Sequence, residues 1–165
     1  MKQPIQLLLI LFFFTNFSFG QSVDTISLKV KAFKNYSVCI QSHKEKNVNE
    51  YLKYVHPVIL KQVGKEKVFH NDASKLKITR GSISQIGKIY LDHQAYQFTF
   101  TETTSTAAEK TKNTNTYTVI AMSYDKGKNW VFFNAYDSVE SMKEDIPELN
   151  SNLKVTYLPK QSFQF

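Results

Sequence analysis

Residues 116–136 read TYTVIAMSYDKGKNWVFFNAY, and the fold is decided there. Two runs rich in β-branched and aromatic residues flank a short polar loop that contains one glycine, which is the sequence form of a β-hairpin. The loop places Ser123, Asp125, Gly127 and Trp130 at the offsets S-x-D-x-G-x-x-W. Each residue type has a physical task in a tight turn. The short Ser123 and Asp125 side chains accept hydrogen bonds from turn amides. Gly127 supplies a positive φ without a Cβ penalty, and Trp130 restarts the strand and covers the turn.

That spacing resembles the Asp-box of bacterial sialidases. Sialidases carry several copies, one per propeller blade, and a propeller needs at least about four blades of about 40 residues each. A chain of 165 residues with one copy has no room for that architecture. The quartet Ser123, Asp125, Gly127 and Trp130 is therefore expected to fasten a hairpin and to do no glycosidase chemistry.

Upstream of the hairpin, the first residues read as an export signal. Lys2 gives a short positive region, residues 7–14 are unbroken apolar sequence, and residues 15–20 are more polar. Ser18 and Gly20 put small residues at −3 and −1, so cleavage is expected before Gln21. The apolar run is shorter than the roughly 20 residues a spanning helix requires, and no later stretch replaces it. The lone cysteine, Cys39, lies too far along to carry a lipid and has no partner for an intramolecular disulfide. Burial keeps such a thiol inert in an oxidising compartment. Residues 21–165 are thus expected to form one exported domain, periplasmic or secreted, without a membrane span.

The formal net charge of +7 raises a nucleic-acid reading, but of the 21 basic residues only Arg80 is arginine. Bidentate contacts to bases and phosphates favour arginine, and the lysines here are scattered. A lysine-coated exported surface accounts for the charge, and no nucleic-acid partner is expected.

Residues 23–46 have helical periodicity, with Ile26, Val30, Phe33 and Ile40 near one face and Tyr36 and Cys39 beside them. Asn47 and Glu50 form a capping box for a second helix that buries Tyr51, Leu52 and Val55. His56 before Pro57 is pushed out of the helical region, ending it. Residues 58–63 read as a further helical turn stopped by Gly64, and residues 65–77 as a third short helix or a loop. After Ile78 the period becomes two. Residues 82–91 carry Ile83, Ile86, Ile89 and Leu91, with Gly87 as a bend. After a turn at Asp92-His93-Gln94, Tyr96, Phe98 and Phe100 alternate with Gln97, Thr99 and Thr101, the pattern of a half-buried strand. Residues 103–115, rich in Thr, Lys and Asn, read as a mobile loop. Beyond the hairpin, Asp137-Ser138 caps a short helix through Met142 and Ile146, and the tail ends in Phe163 and Phe165. Helices first, then at least four antiparallel strands, then a terminal helix define an α+β domain.

In that order the chain resembles the nuclear-transport-factor-2-like superfamily, whose members include ketosteroid isomerases and polyketide cyclases. More closely it is similar to small exported bacterial proteins of that fold. The resemblance rests on Ala32-Phe33 and Tyr36, on Tyr54-Val55-His56-Pro57, on residues 123–130, and on Ile146-Pro147-Glu148-Leu149. It implies N-terminal helices packed in a curled antiparallel sheet, with a cone-shaped pocket between them. The candidate pocket residues are Phe33, Tyr36, His56, Tyr96, Phe98 and Trp130, joined by Ile40, Phe100 and Phe132. The isomerases use carboxyl groups of raised pKa in an apolar cavity. Here Asp92, Glu102, Asp125 and Asp137 all read as strand ends or turns, so no carboxylate is expected inside.

His56 is the most conspicuous polar candidate, as a base or ligand contact or as a group that satisfies helix-end backbone. His43, His70, His93 and Cys39 lack metal-ligand spacing, and no cofactor is expected. Three functional classes remain. The first is a non-catalytic module binding a small apolar ligand or a partner protein. The second is an isomerase or cyclase using a His/Tyr pair, and the third a structural domain that self-associates as a homodimer.

Overall fold

A computed structural model describes residues 24–70, 77–108 and 111–156. The expected signal segment, its cleavage site and the terminal Phe163 and Phe165 lie outside the described residues. The architecture is α+β, with five antiparallel strands in one open sheet.

Helix α1 (Thr25–Lys44) begins at Asp24, whose Oδ1 accepts from the amides of Ile26 and Ser27 at 3.2 and 3.1 Å. Three short helices follow: α2 (Val48–Leu52), α3 (Pro57–Val63) and α4 (Lys65–His70). Asn47 caps α2 by accepting from the Glu50 amide, and Gly64 ends α3 with φ at 86°. The strands are β1 (Lys77–Ser84), β2 (Tyr90–Asp92), β3 (Ala95–Ala108), β4 (Thr111–Ser123) and β5 (Val131–Asn134), and α5 (Val139–Asp145) closes the order.

Four expectations change, three of them in the order of the elements. The buried stripe of α1 is Leu28, Ala32, Tyr36 and Cys39, while Ile26 and Val30 are 75 % and 63 % exposed. Ala32, fully buried, packs in the cluster formed with the sheet's aromatic face, and that burial, not the phase of the larger aliphatics, marks the helix rotation. The segment from residue 103 to 115 is no loop. β3 and β4 pair continuously from Tyr96↔Ser123 to Ala108↔Thr111, because the threonine-rich composition that offers little to bury is also strand-favouring. Finally, residues 82–91 split into β1 and β2, which both pair with β3, on either side of an interruption. At the interruption the Gly87 amide donates to the Thr99 carbonyl, and a Cβ on Gly87 would lie 2.9 Å from Thr99 Oγ1. Ile83, Ile86 and Leu91 remain exposed. His93 and Gln94, both with positive φ, make the two-residue turn from β2 to β3.

The sheet is covered on both faces. On one, Leu28, Ala32 and Tyr36 of α1 pack with Phe98, Phe100, Val119, Ala121, Trp130 and Phe132. On the other, Val139 and Met142 of α5, with Ile146, Leu149 and Leu153, pack on Ala95, Ile120, Met122 and Phe133. Residues 95–100 of β3 are therefore buried on both sides, Gln97 and Thr99 included and Tyr96 in part, and the half-buried strand expected from its alternation is corrected over that stretch.

Candidate functional site

The alternation that points Phe98 and Phe100 at α1 points the next residue in phase, Glu102, the same way. Glu102 sits directly opposite Tyr117 on β4 and Ile83 on β1, in the interior of the sheet. Its side chain is almost wholly buried, the residue being 8 % exposed. Two phenols converge on one of its oxygens. Tyr36, reaching down from α1, donates to Glu102 Oε2 at 2.5 Å, and Tyr117 donates to the same atom at 2.7 Å. The expectation that no carboxylate enters the apolar interior is thus overturned. The error lay in ending the strand at residue 102, which made a mid-strand glutamate look like a turn residue.

Glu102 borders a cavity of about 560 Å³. Tyr36, Cys39 and Ile40 of α1 form one wall, Tyr51, Ile59, Val63 and Val68 of the short helices another, and Val119, Tyr117 and Phe132 of the sheet the floor. Apolar surface dominates, as in most small-molecule sites. Burial, and then the negative charge of Glu102, push the Tyr36 phenol far above its ordinary value and the Cys39 thiol up to about 12. At neutral pH Tyr36 is a fixed hydrogen-bond donor and Cys39 an unreactive thiol.

His56 is elsewhere and does not line this cavity. It does not end α2, as its place before Pro57 suggested, but is the N-cap of α3, where Nδ1 accepts from the Val58 amide at 3.3 Å. That bond leaves the proton on Nε2, which lies 2.7 Å from the Tyr124 hydroxyl. Tyr124 in turn donates to Glu148 Oε1 at 2.7 Å. Burial lowers the His56 pKa to about 4, with the Glu148 charge opposing. A neutral imidazole also suits a helix N-terminus, where a cation is disfavoured. With both nitrogens engaged, His56 has no lone pair to offer a substrate.

Of the six residues singled out from the sequence, Tyr36 lines the cavity. Phe98 packs edge-on against Phe33 and Trp130, with ring centroids 5.9 and 5.4 Å apart, and Phe33 packs edge-on against Phe100. Tyr96 packs beside that cluster, half-buried. Ile40 and Phe132 lie on the cavity wall, whereas Phe100 is core. Glu102 and Tyr117 are the site residues that sequence reasoning missed. The signal was present: Phe98-x-Phe100-x-Glu102 continues one face, and the threonines after it continue the strand.

None of the turn quartet lines this cavity. Asp125 Oδ1 accepts from Ser123 Oγ and from the amides of Lys128 and Asn129, and Ser123 Oγ accepts from the Gly127 amide. Burial works to raise the Asp125 carboxyl, but these bonds and that from the Asn129 side chain together hold it below its ordinary value. Trp130 Nε1 donates to the Gly127 carbonyl, and its amide to Asn35 of α1, tying the hairpin to the helix.

Among the described residues no three His, Cys, Asp or Glu side chains gather as a metal site, and no helix is long and apolar enough to cross a membrane. No protein-family model matches the chain, and no curated protein matches it.

Proposed function

We propose that this chain is an exported binding module of the nuclear-transport-factor-2-like class, which holds a small, mostly apolar ligand between its N-terminal helices and its sheet. The observation that carries the reading is the hollow itself: about 560 Å³, aromatic and aliphatic on most sides, beside one buried carboxylate. A domain that served only as a structural piece would gain stability by filling that space. The export part of the reading rests on residues 1–20, whose charged, apolar and small-residue regions are those of a cleaved signal. The class rests on the order of helices and strands together with the motifs at Ala32-Phe33, Tyr36, Tyr54–Pro57 and residues 123–130.

An isomerase or cyclase reading is carried by Glu102, a carboxylate among tyrosines in an apolar space. Binding without turnover is favoured over it on hydrogen-bond grounds. Tyr36 and Tyr117 both give their phenolic protons to Glu102 Oε2, so neither aims a donor at an oxyanion, which proton transfer beside a carbonyl requires. His56, the other base candidate, has both ring nitrogens engaged.

Native mass spectrometry of protein recovered from the envelope or medium tests the reading. A chain beginning at Gln21 with a bound small molecule is expected. In Val63→Trp, which fills space at the cavity wall, the bound mass should disappear while the melting temperature holds. A wild-type protein that is empty and unaffected by a library of apolar ligands in thermal shift would end this proposal.

A further inference from the structure

Resting on that binding reading, we infer that the ligand is cationic at one end: an amine or guanidine carrying an apolar or aromatic body, seated with its positive group on Glu102. The inference starts from an imbalance. Glu102 is buried among apolar groups, and taking a carboxylate out of water is costly unless a cation or a full set of donors compensates. Among the described residues the ion pairs are Lys53–Glu50 and His93–Asp92, and neither involves Glu102. The recorded donors, Tyr36 and Tyr117, both fall on Oε2. Oε1 receives no hydrogen bond from a described residue.

The surroundings of Oε1 are shaped for a guest. Gly81, which pairs across the sheet with Thr104, lines the cavity beside it, and a Cβ there would stand 3.7 Å from Oε1. Glycine leaves that approach open. The two phenols also polarise the carboxylate from the protein side, fixing it as a preorganised acceptor without neutralising it. Aromatic rings of Tyr36, Tyr54, Tyr117 and Phe132 border the same space, and the faces of such rings attract cations. Lys44 and His43 also line the cavity, but neither pairs with Glu102. At Glu102 itself the carboxylate and its aromatic surround select positive charge attached to hydrocarbon; an anionic head group there is repelled, and a neutral one leaves the carboxylate unpaired.

Three probes that share one body separate the head groups: 4-phenylbutylamine, 4-phenylbutanol and 4-phenylbutyrate, titrated calorimetrically into the full mature chain at neutral pH. The amine should bind about tenfold or more tighter than the alcohol, the factor that one desolvated charged contact supplies, and the butyrate weakest. In Glu102→Gln the amine should fall to within about threefold of the alcohol, whose own affinity should hold or rise because no carboxylate is left unpaired beside it. Retained alcohol binding shows that the variant is folded. If the alcohol or the butyrate binds as tightly as the amine, or if Glu102→Gln leaves the preference intact, the cation assignment is overturned while the cavity reading survives. If all three fail to bind the wild-type protein, the cavity reading falls and this inference falls with it.

Discussion

The two faces of the sheet bury their polar groups in opposite ways, and β3 carries one example of each. Gln97, on the face covered by α5, is fully buried. Its Nε2 donates to the Glu148 carbonyl at 2.6 Å, and its Oε1 accepts from the Asn150 amide at 3.0 Å. Both bonds go to backbone that no secondary structure satisfies, so the side chain stitches the segment after α5 to the sheet. The fold explains Gln97 completely. Among the described residues Glu102, on the α1 face, is bonded only by side-chain hydroxyls, and it borders open space. No described backbone group bonds to it. Buried polar groups are costly, so one that supports no backbone points to a task outside folding. The filled face is structure, and the hollow face is where function is sought.

Packing offers the largest effect with which to break that contrast. Met142 is fully buried in the filled face, whereas Ile40 stands half-buried on the cavity wall. Met142→Ala should cost about 2–5 kcal/mol in urea denaturation, the usual result of opening a void in a packed core. Ile40→Ala should cost about 1 kcal/mol or less, because the space beside it is already empty. Equal losses at the two sites would mean that the hollow is closed in solution.

Next in size is Gly127→Val at the fastener turn. Gly127 has φ at 80°, and a Cβ there would meet Leu28 Cδ2 at 2.1 Å. Backbone strain and the displaced α1 contact together should cost about 3 kcal/mol. Ligand binding, if the turn has no chemical role, should survive in the fraction that remains folded. A variant with full melting temperature and lost glycan binding would reverse the structural assignment of Ser123, Asp125, Gly127 and Trp130.

Acid should act through the filled side. His56 is 1 % exposed and held neutral, with its pKa lowered to about 4 from 6.5. The unfolded chain takes up the proton near 6.5 and the folded chain only near 4. The unfolded state thus binds more protons in that window, and stability falls as pH drops through it. At 1.36 kcal/mol for each pKa unit, the loss approaches about 3 kcal/mol by pH 4. Denaturation midpoints measured from pH 7 to 4 should decline for the wild type and decline less in His56→Asn, which keeps a capping oxygen for the Val58 amide. Parallel declines would remove His56 from the account.

The contrast between the faces was only half legible in the sequence. The hairpin could be read because local chemistry alone dictates it: a glycine, two short acceptors and a tryptophan within eight residues. Capping gave the starts of α2 and α5 for the same reason. The rotation of α1 could not be read from its aliphatics. Ala32, buried in the cluster with the sheet's aromatic face, marks it, a tertiary effect that no periodicity of large residues reports. The continuation of β3 and β4 was obscured because a threonine-rich stretch is both polar and strand-favouring, and only pairing with a neighbour resolves which property wins. That single ambiguity hid the site. Once residue 103 is in a strand, Glu102 falls in phase with Phe98 and Phe100. The partnership with Tyr36 spans 66 positions in the chain, and no local pattern announces it.

The smallest expected effect is the most telling, because its sign is at stake. Glu102→Gln keeps the shape of the side chain and an oxygen that accepts from Tyr36 and Tyr117, while it removes a buried negative charge that no described residue pairs. The charge-assisted part of two hydrogen bonds is lost, a cost of about 1 kcal/mol each. Relief of desolvation is of similar or larger size. The change in unfolding free energy should therefore lie within about 1 kcal/mol of zero and tend toward stabilisation, as at sites held for function at the expense of stability. Its mirror is Gln97→Glu. There the amide that donates to the Glu148 carbonyl becomes a carboxylate oxygen facing another oxygen at 2.6 Å, and about 3 kcal/mol or more should be lost from repulsion and unpaired burial. Urea denaturation of both variants at pH 7 reads the pair. A stable Glu102→Gln beside an unstable Gln97→Glu keeps the division between a hollow proposed to hold a ligand and a face built for folding. If Glu102→Gln instead lost more than about 2 kcal/mol, the carboxylate would be a structural tie between α1 and β4, and the search for a ligand would have to begin elsewhere.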